Sequence, residues 1–378
     1  HLRGIGVRVP ITGTNQSFCP ASVCAESVND FMSRNNYWCH PNVHAKPFFT
    51  FRDRTVLRSN LARRSNPVTN VASSTVVGKP MIVPEFNWPW PIRYRAECLP
   101  MMAAYACLQD WDGLLFFAYN PGRKTLECFG SQSDPVRWGT FPAAAVLFHR
   151  GDVATAKNTV HVNWPEREIF RGRPSHIRAK TSPFRHVTYR SKVRNVFSAK
   201  GQGGDAKLID GATFTPPAQN RYRSDTGELD LDTGRKLFTI NTPRTRAAVG
   251  FLAEAGEIDL GGLRVACRTP YAAVIATALD GLPIGRSRRV LLTAVARAEN
   301  TGQAFNPKHN AVPERGREPV LVEPVDAVVT IPVPGPVAAR ALDETGRPKN
   351  KLPGRLADGV FRLALKTARS PWCVLAAE

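Results

Sequence analysis

The sequence predicts an α/β half built from βα units, followed by an antiparallel β half. Three observations point there. Up to about residue 150, strand-sized apolar runs alternate with helical patterns in the order strand, loop, helix, which builds parallel sheets. The two clearest early strands, Met81 to Pro84 and Leu114 to Tyr119, are apolar throughout, as expected when both faces are covered. After about residue 152, period-two runs separated by turn dipeptides take over.

Residues 5 to 12 (IGVRVPIT) read as a strand that runs into the polar loop Gly13-Thr14-Asn15-Gln16, and a short helix is expected within 21 to 31. Residues 34 to 40 (RNNYWCH) read as a short strand, and 41 to 70 as a long Arg-rich connection. Met81 to Pro84 delivers Glu85 into the stiff aromatic loop FNWPWP. From Tyr94 to Asp110, apolar residues recur at spacings of three and four, which predicts a helix. A second helix is expected from Asp134 to His149, with Asp134 as N-cap and Pro135 in the first turn. In the second half, strands are expected at 228–232, 236–241, 262–267, 272–278, 289–296 and 320–333. This organisation divides the chain into 1–152, a connection over 153–220, and a sandwich-like antiparallel region over 221–378.

Composition excludes several classes. At 378 residues and 43% hydrophobic content, a wholly disordered chain is excluded. There is no apolar run of the roughly 18 residues a membrane helix needs, so no membrane partner is expected. The formal charge is +20, but the basic residues are scattered. Arg52, Arg54, Arg58, Arg63 and Arg64 form one loose run and Arg167 to Arg194 another, without any nucleic-acid-reading motif. A solvated basic surface is the main reading, and a polyanion-binding protein is one alternative function. The eight cysteines form no CxxC pair, so a zinc ribbon is not expected; Cys19 and Cys24 could close a small disulfide loop. His40 and His44 have metal-ligand spacing, but Pro41 between them argues against the helix it needs. Asp225, Glu228 and Asp230 form an acidic turn. Neither a metal nor an organic cofactor is expected.

Glu85 is the sharpest position. It follows a buried strand, where parallel barrels place catalytic groups, and it neighbours Asn87, Trp88 and Trp90. Aromatic faces beside a carboxylate suit a sugar, which presents apolar CH faces and polar edges. On pattern alone, a Glu after a strand is more often a surface or capping residue. Trp88 and Trp90 read equally as sugar platforms or buried loop anchors, and Tyr37 and Trp38 as site or packing residues.

The stretch PMIVPEFNWPWPIRYRAECLPMMAAYACLQDWDGLLFFAY resembles the seventh and eighth strands of clan A glycoside hydrolases, which are retaining (β/α)8-barrel enzymes. The likeness covers roughly residues 4 to 150 and implies the last four βα units of such a barrel, with β-rich accessory structure after it. It implies Glu85 as the nucleophile. Asn36-Tyr37-Trp38-Cys39-His40 is similar to the end of the sixth strand, which makes Tyr37 and His40 the residues that hold the nucleophile. VRVPITGTNQ would be the fifth strand, with Asn15 and Gln16 facing the cleft. Trp38, Asn87, Trp88, Trp90 and Tyr119 would shape the sugar site. The implied partner is an oligo- or polysaccharide with β-linked sugars, which favours an extracellular or periplasmic location. In the family the acid/base Glu follows an Asn at the end of the fourth strand. This chain has no Asn-Glu pair before Glu85; its earlier carboxylates are Glu26, Asp30 and Asp53. The expectation is therefore a C-terminal portion whose partner residue lies upstream of His1. A carbohydrate-binding protein without catalysis is the other alternative.

Overall fold

The early apolar runs pair in parallel. In the computed structural model, which describes residues 1–16, 19–46, 50–51, 55–58, 67–120, 124–164, 166–169, 187–197, 207–209 and 220–378, β1 (Met32–Ser33) and β2 (Asn36–Tyr37) lie on one side of β3 (Met81–Asn87). β4 (Gly113–Phe116) lies on the other side, and every pairing is parallel. Parallel neighbours need a crossover. Here α2 (Pro67–Ala72) and α3 (Cys98–Gln109) supply the crossovers, α1 (Pro20–Glu26) precedes the sheet, and α4 (Pro135–Arg150) follows it.

Local chemistry sets the helix ends. Asp134 accepts a hydrogen bond from Val136 N at 3.0 Å, Pro135 occupies the first turn, and Gly151 closes α4 in the left-handed region at φ 62°. The Asp134 carboxylate is also buried between two guanidinium groups, Arg95 Nε at 2.8 Å and Arg137 Nε at 3.1 Å. Burial alone would raise its pKa, but the two cations and the Val136 amide hold it below the usual carboxylate range.

Residues 5–12 do not form the expected strand. Arg3–Ile5 is a 3-10 turn and residues 7–16 have no strand pairing. Pro10 removes a ladder donor in the middle of the run. The segment still follows the sheet edge: Asp30 N donates to Ile11 O and Asn35 N to Asn15 O, each at 2.9 Å. The expected run 320–333 splits into Arg317–Val322 and Ala327–Pro332, with Pro324 between them.

The molecule is about 20% helix and 36% strand, a mixed fold dominated by a nine-stranded and a five-stranded antiparallel sheet. Among the described residues it shows neither a (β/α)8 barrel nor a β-sandwich. The parallel sheet is too short to close, since barrels need about eight strands. The strand Ala272–Ala278 is buried at every position. Ala273 and Ile275 join one buried cluster with α3 and α4, while Ala272, Val274 and Ala276 join a second with Val265, Val329 and Phe361 of the five-stranded sheet. Both faces of the central strand are covered, which is why its sequence is apolar without alternation. Bonds also cross residue 152. Trp372 Nε1 donates to Gly139 O at 2.7 Å, and the Thr245 hydroxyl donates to Asp152 at 2.7 Å.

The expected small loop disulfide is not formed: Cys19 is the N-cap of α1 and Cys24 lies within the helix, and the two are not joined. Among the described residues, no helix is long and apolar enough to cross a membrane. Arg52, Arg54, Arg63 and Arg64, most of the second basic run, and residues 198–206 and 210–219 of the connection lie outside the described residues.

Candidate active site

Strand register decides where Glu85 points. Ser33 and Asn36 are three residues apart, yet they pair with Ile82 and Phe86, which are four apart. Leu114 and Phe116 are two apart, yet they pair with Val83 and Phe86, three apart. Both neighbours thus report one extra residue in β3 at Pro84–Glu85, a β-bulge. Bulges re-aim side chains and recur beside active sites. Val83 and Phe86 both face the helices, and Phe86 packs on Phe116 with centroids 5.5 Å apart. Glu85 and Asn87, on either side of Phe86, therefore turn to the opposite face. That face is partly open: Asn87 is buried, while Leu115 of β4 is 53% exposed.

The Tyr37 hydroxyl, at the end of β2, donates to Glu85 Oε2. Burial, and then the bond to Glu85 and its charge, push the Tyr37 pKa far above the usual phenol value. Tyr37 therefore keeps its proton and is the donor in this pair, with Glu85 the acceptor. Around them stands a collar of rings. Phe129 lies 5.3 Å from Tyr37 and 5.1 Å from His40, and Phe117 lies 5.8 Å from Phe129. Glu85 is half-buried, with its carboxylate at the carboxyl end of a parallel strand.

The other expected site residues divide. His40 is exposed and meets the Tyr37 ring at 5.4 Å, while its Nδ1 lies 3.2 Å from Pro41 O. Asn87 is buried and donates to Phe117 O, tying the ends of β3 and β4 together. Trp38, Trp88 and Trp90 are at most 1% exposed, so Trp38 packs in the core, and Trp88 and Trp90 are buried loop anchors here and not open platforms. The Pro-rich loop turns both indoles inward and satisfies their N–H groups. Trp88 Nε1 donates to Glu97 Oε1 at 3.2 Å and Trp90 Nε1 to Gln303 Oε1 at 2.9 Å. Tyr119 is 63% exposed, but its ring edge lies on Trp138 of α4 at 5.6 Å. Asn15 is half-buried and offers its backbone carbonyl to Asn35, while Gln16 is exposed. In the sequence Phe117 is one residue of an apolar strand run, and Phe129 is a single ring in a turn with no signal of its own.

Of the earlier carboxylates, Glu26 accepts from Thr14 N and Asn29, and Asp30 from Arg3 and Ile11 N, so both are tied up in loop structure. Asp53 lies outside the described residues. The acidic turn is likewise structural: Asp225 accepts from Lys157 N at 3.0 Å, Glu228 from Ala154 N at 2.7 Å, and Asp230 pairs with Arg221 at 2.7 Å. Among the described residues, no group of three His, Cys, Asp or Glu is placed to hold a metal. Two cavities, of about 310 and 350 Å³, lie in the β-rich half, and Glu85 lines neither.

Glu97 is a second acid of interest, fully buried under the aromatic loop. It accepts from Thr55, Val56 N and Trp88, and the Tyr271 hydroxyl lies 3.5 Å away. Burial raises its pKa from the ordinary 4.5 to about 8, against the pull of these donors. A raised folded pKa stabilises the fold fully below about 4.5, and that contribution is lost as pH rises through about 8. Unfolding free energy measured between pH 5 and 8 should therefore fall in the native protein. Glu97→Gln should flatten that slope, and an unchanged slope would refute the assignment.

Scans against protein-family models, curated proteins and solved structures find no match to this chain.

Proposed function

We propose that this protein carries the nucleophile side of a retaining glycoside hydrolase acting on β-linked sugars. The single observation behind this reading is the Tyr37–Glu85 pair at the carboxyl ends of adjacent parallel strands, turned by a bulge onto a partly open, ring-lined face. The finer fold reading goes with it: the parallel strands and their helices correspond to the last part of a (β/α)8 barrel. In double displacement, Glu85 attacks the anomeric carbon and the glycosidic C–O bond breaks. A second carboxylic acid protonates the leaving oxygen and then, as its carboxylate, takes a proton from the water that releases the sugar. The chain has no Asn-Glu pair before Glu85 to match that second acid. Tyr37 would hold the Glu85 carboxylate in line and keep one of its oxygens occupied.

The test avoids the missing acid. A 2-deoxy-2-fluoro β-glycoside with a dinitrophenolate leaving group needs no protonation to depart. Incubation with a panel of such sugars should leave a covalent adduct on the peptide containing Glu85, read by mass spectrometry. A folded protein that binds glycans yet gives no adduct across the panel would move the reading to carbohydrate binding without catalysis.

A further inference from the structure

Residues of the β-rich half help to fix the rim of this site. The hairpin between Ala298–Thr301 and Arg317–Val322 reaches back over both loops that leave the parallel sheet. Gln303 holds Trp90 in the loop after β3, and the Arg315 guanidinium lies 5.8 Å from the centre of the same indole. Asn300 is buried and holds the loop after β4. Its Oδ1 accepts from Leu126 N at 2.7 Å, and its Nδ2 donates to Leu126 O at 3.3 Å and to Arg315 O at 2.9 Å. Gly316 makes this approach possible. A Cβ there would lie 2.7 Å from Thr301 O and 2.9 Å from Asn300 Cβ, and its φ is +73°.

What Asn300 holds is the segment that carries Phe129. Arg137 fixes the same segment from the other side, through the Cys128, Phe129 and Gly130 carbonyls. Phe129 in turn packs edge-on against Tyr37 and lies tilted against His40. We propose that Asn300 is a positioning residue of the Tyr37–Glu85 site, acting through Leu126 and Phe129 from the β-rich half of the chain. The inference rests on the glycosidase reading only for its activity arm. The C-terminal region is then part of the site's frame, and removing it would loosen the rim of the site.

The experiment compares wild type with Asn300→Ala and the isosteric Asn300→Asp, which keeps the acceptor for Leu126 N and loses both donors. Peptide-resolved thiol labelling reads Cys128, beside Phe129, against Cys373, buried in the other core. Losing buried hydrogen bonds to one segment should speed Cys128 labelling by about tenfold in Asn300→Ala and by less in Asn300→Asp, with Cys373 unchanged. Trapping of Glu85 by the fluoroglycoside should slow by about tenfold in Asn300→Ala, with partial recovery in Asn300→Asp. Unchanged Cys128 labelling would overturn the proposal, and so would a parallel rise at Cys128 and Cys373 in Asn300→Asp. If wild type is never trapped, the Glu85 reading fails by itself, and the thiol arm still decides the role of Asn300.

Discussion

Replacing Glu85 by Gln is expected to lower turnover of an activated aryl β-glycoside by at least roughly a thousandfold, as loss of a covalent nucleophile does. The measurement is made in whatever form of the protein turns the substrate over. Gln keeps the size of the side chain and an oxygen for the Tyr37 hydroxyl, so the strand end should stay intact. The amide has no lone pair basic enough to attack the anomeric carbon. An unchanged thermal midpoint beside the lost activity separates chemistry from folding. Azide added to Glu85→Ala should restore turnover and give an inverted glycosyl azide, because a small anion then enters the emptied space. A loss of less than about tenfold in Glu85→Gln would remove Glu85 from the role.

The largest stability effect is expected at Asp134. Asp134→Ala should cost about 3–5 kcal/mol, read as a lowered denaturant midpoint at unchanged slope. The reason is the pair of buried cations it serves. Arg95 and Arg137 are each 1% exposed, and Arg95 also holds Ile92 O and Ala298 O. Without the carboxylate, two guanidinium charges stay buried beside each other, and α4 loses its N-cap. Asp134→Asn keeps the cap and removes the charge, so it isolates the ionic part. Because the folded pKa lies below the ordinary 3.8, this contribution is present above 3.8, neutral pH included, and is lost as pH falls through the folded value. A cost under about 1 kcal/mol for Asp134→Ala would mean that the arginines find other partners.

The glutamate at the end of the apolar strand was legible because Met81 to Asn87 is a short buried run with turn chemistry behind it. So was α4, whose Asp134-Pro135 start and Gly151 stop are local signals. The face on which Glu85 lies was not legible. Periodicity assigns residues to alternate faces, and a single extra residue at Pro84–Glu85 reverses that assignment. Nor was the fate of the indoles. Trp88 and Trp90 beside a carboxylate suit a sugar platform equally well until their N–H groups are seen to end on Glu97 and on Gln303, the latter 213 residues away in sequence.

The sequence by itself determined the succession of elements, from parallel βα units to antiparallel strands, because apolar spacing, caps and turn residues act over a few positions of chain. It also singled out Glu85 and Tyr37. The resemblance already put Tyr37 beside Glu85; the tertiary structure alone decided that Phe129 packs on Tyr37, that Asn300 bonds to Leu126, and that the central β-strand is covered on both sides. Those outcomes depend on strand register and on contacts between residues far apart in the chain, which no local pattern encodes.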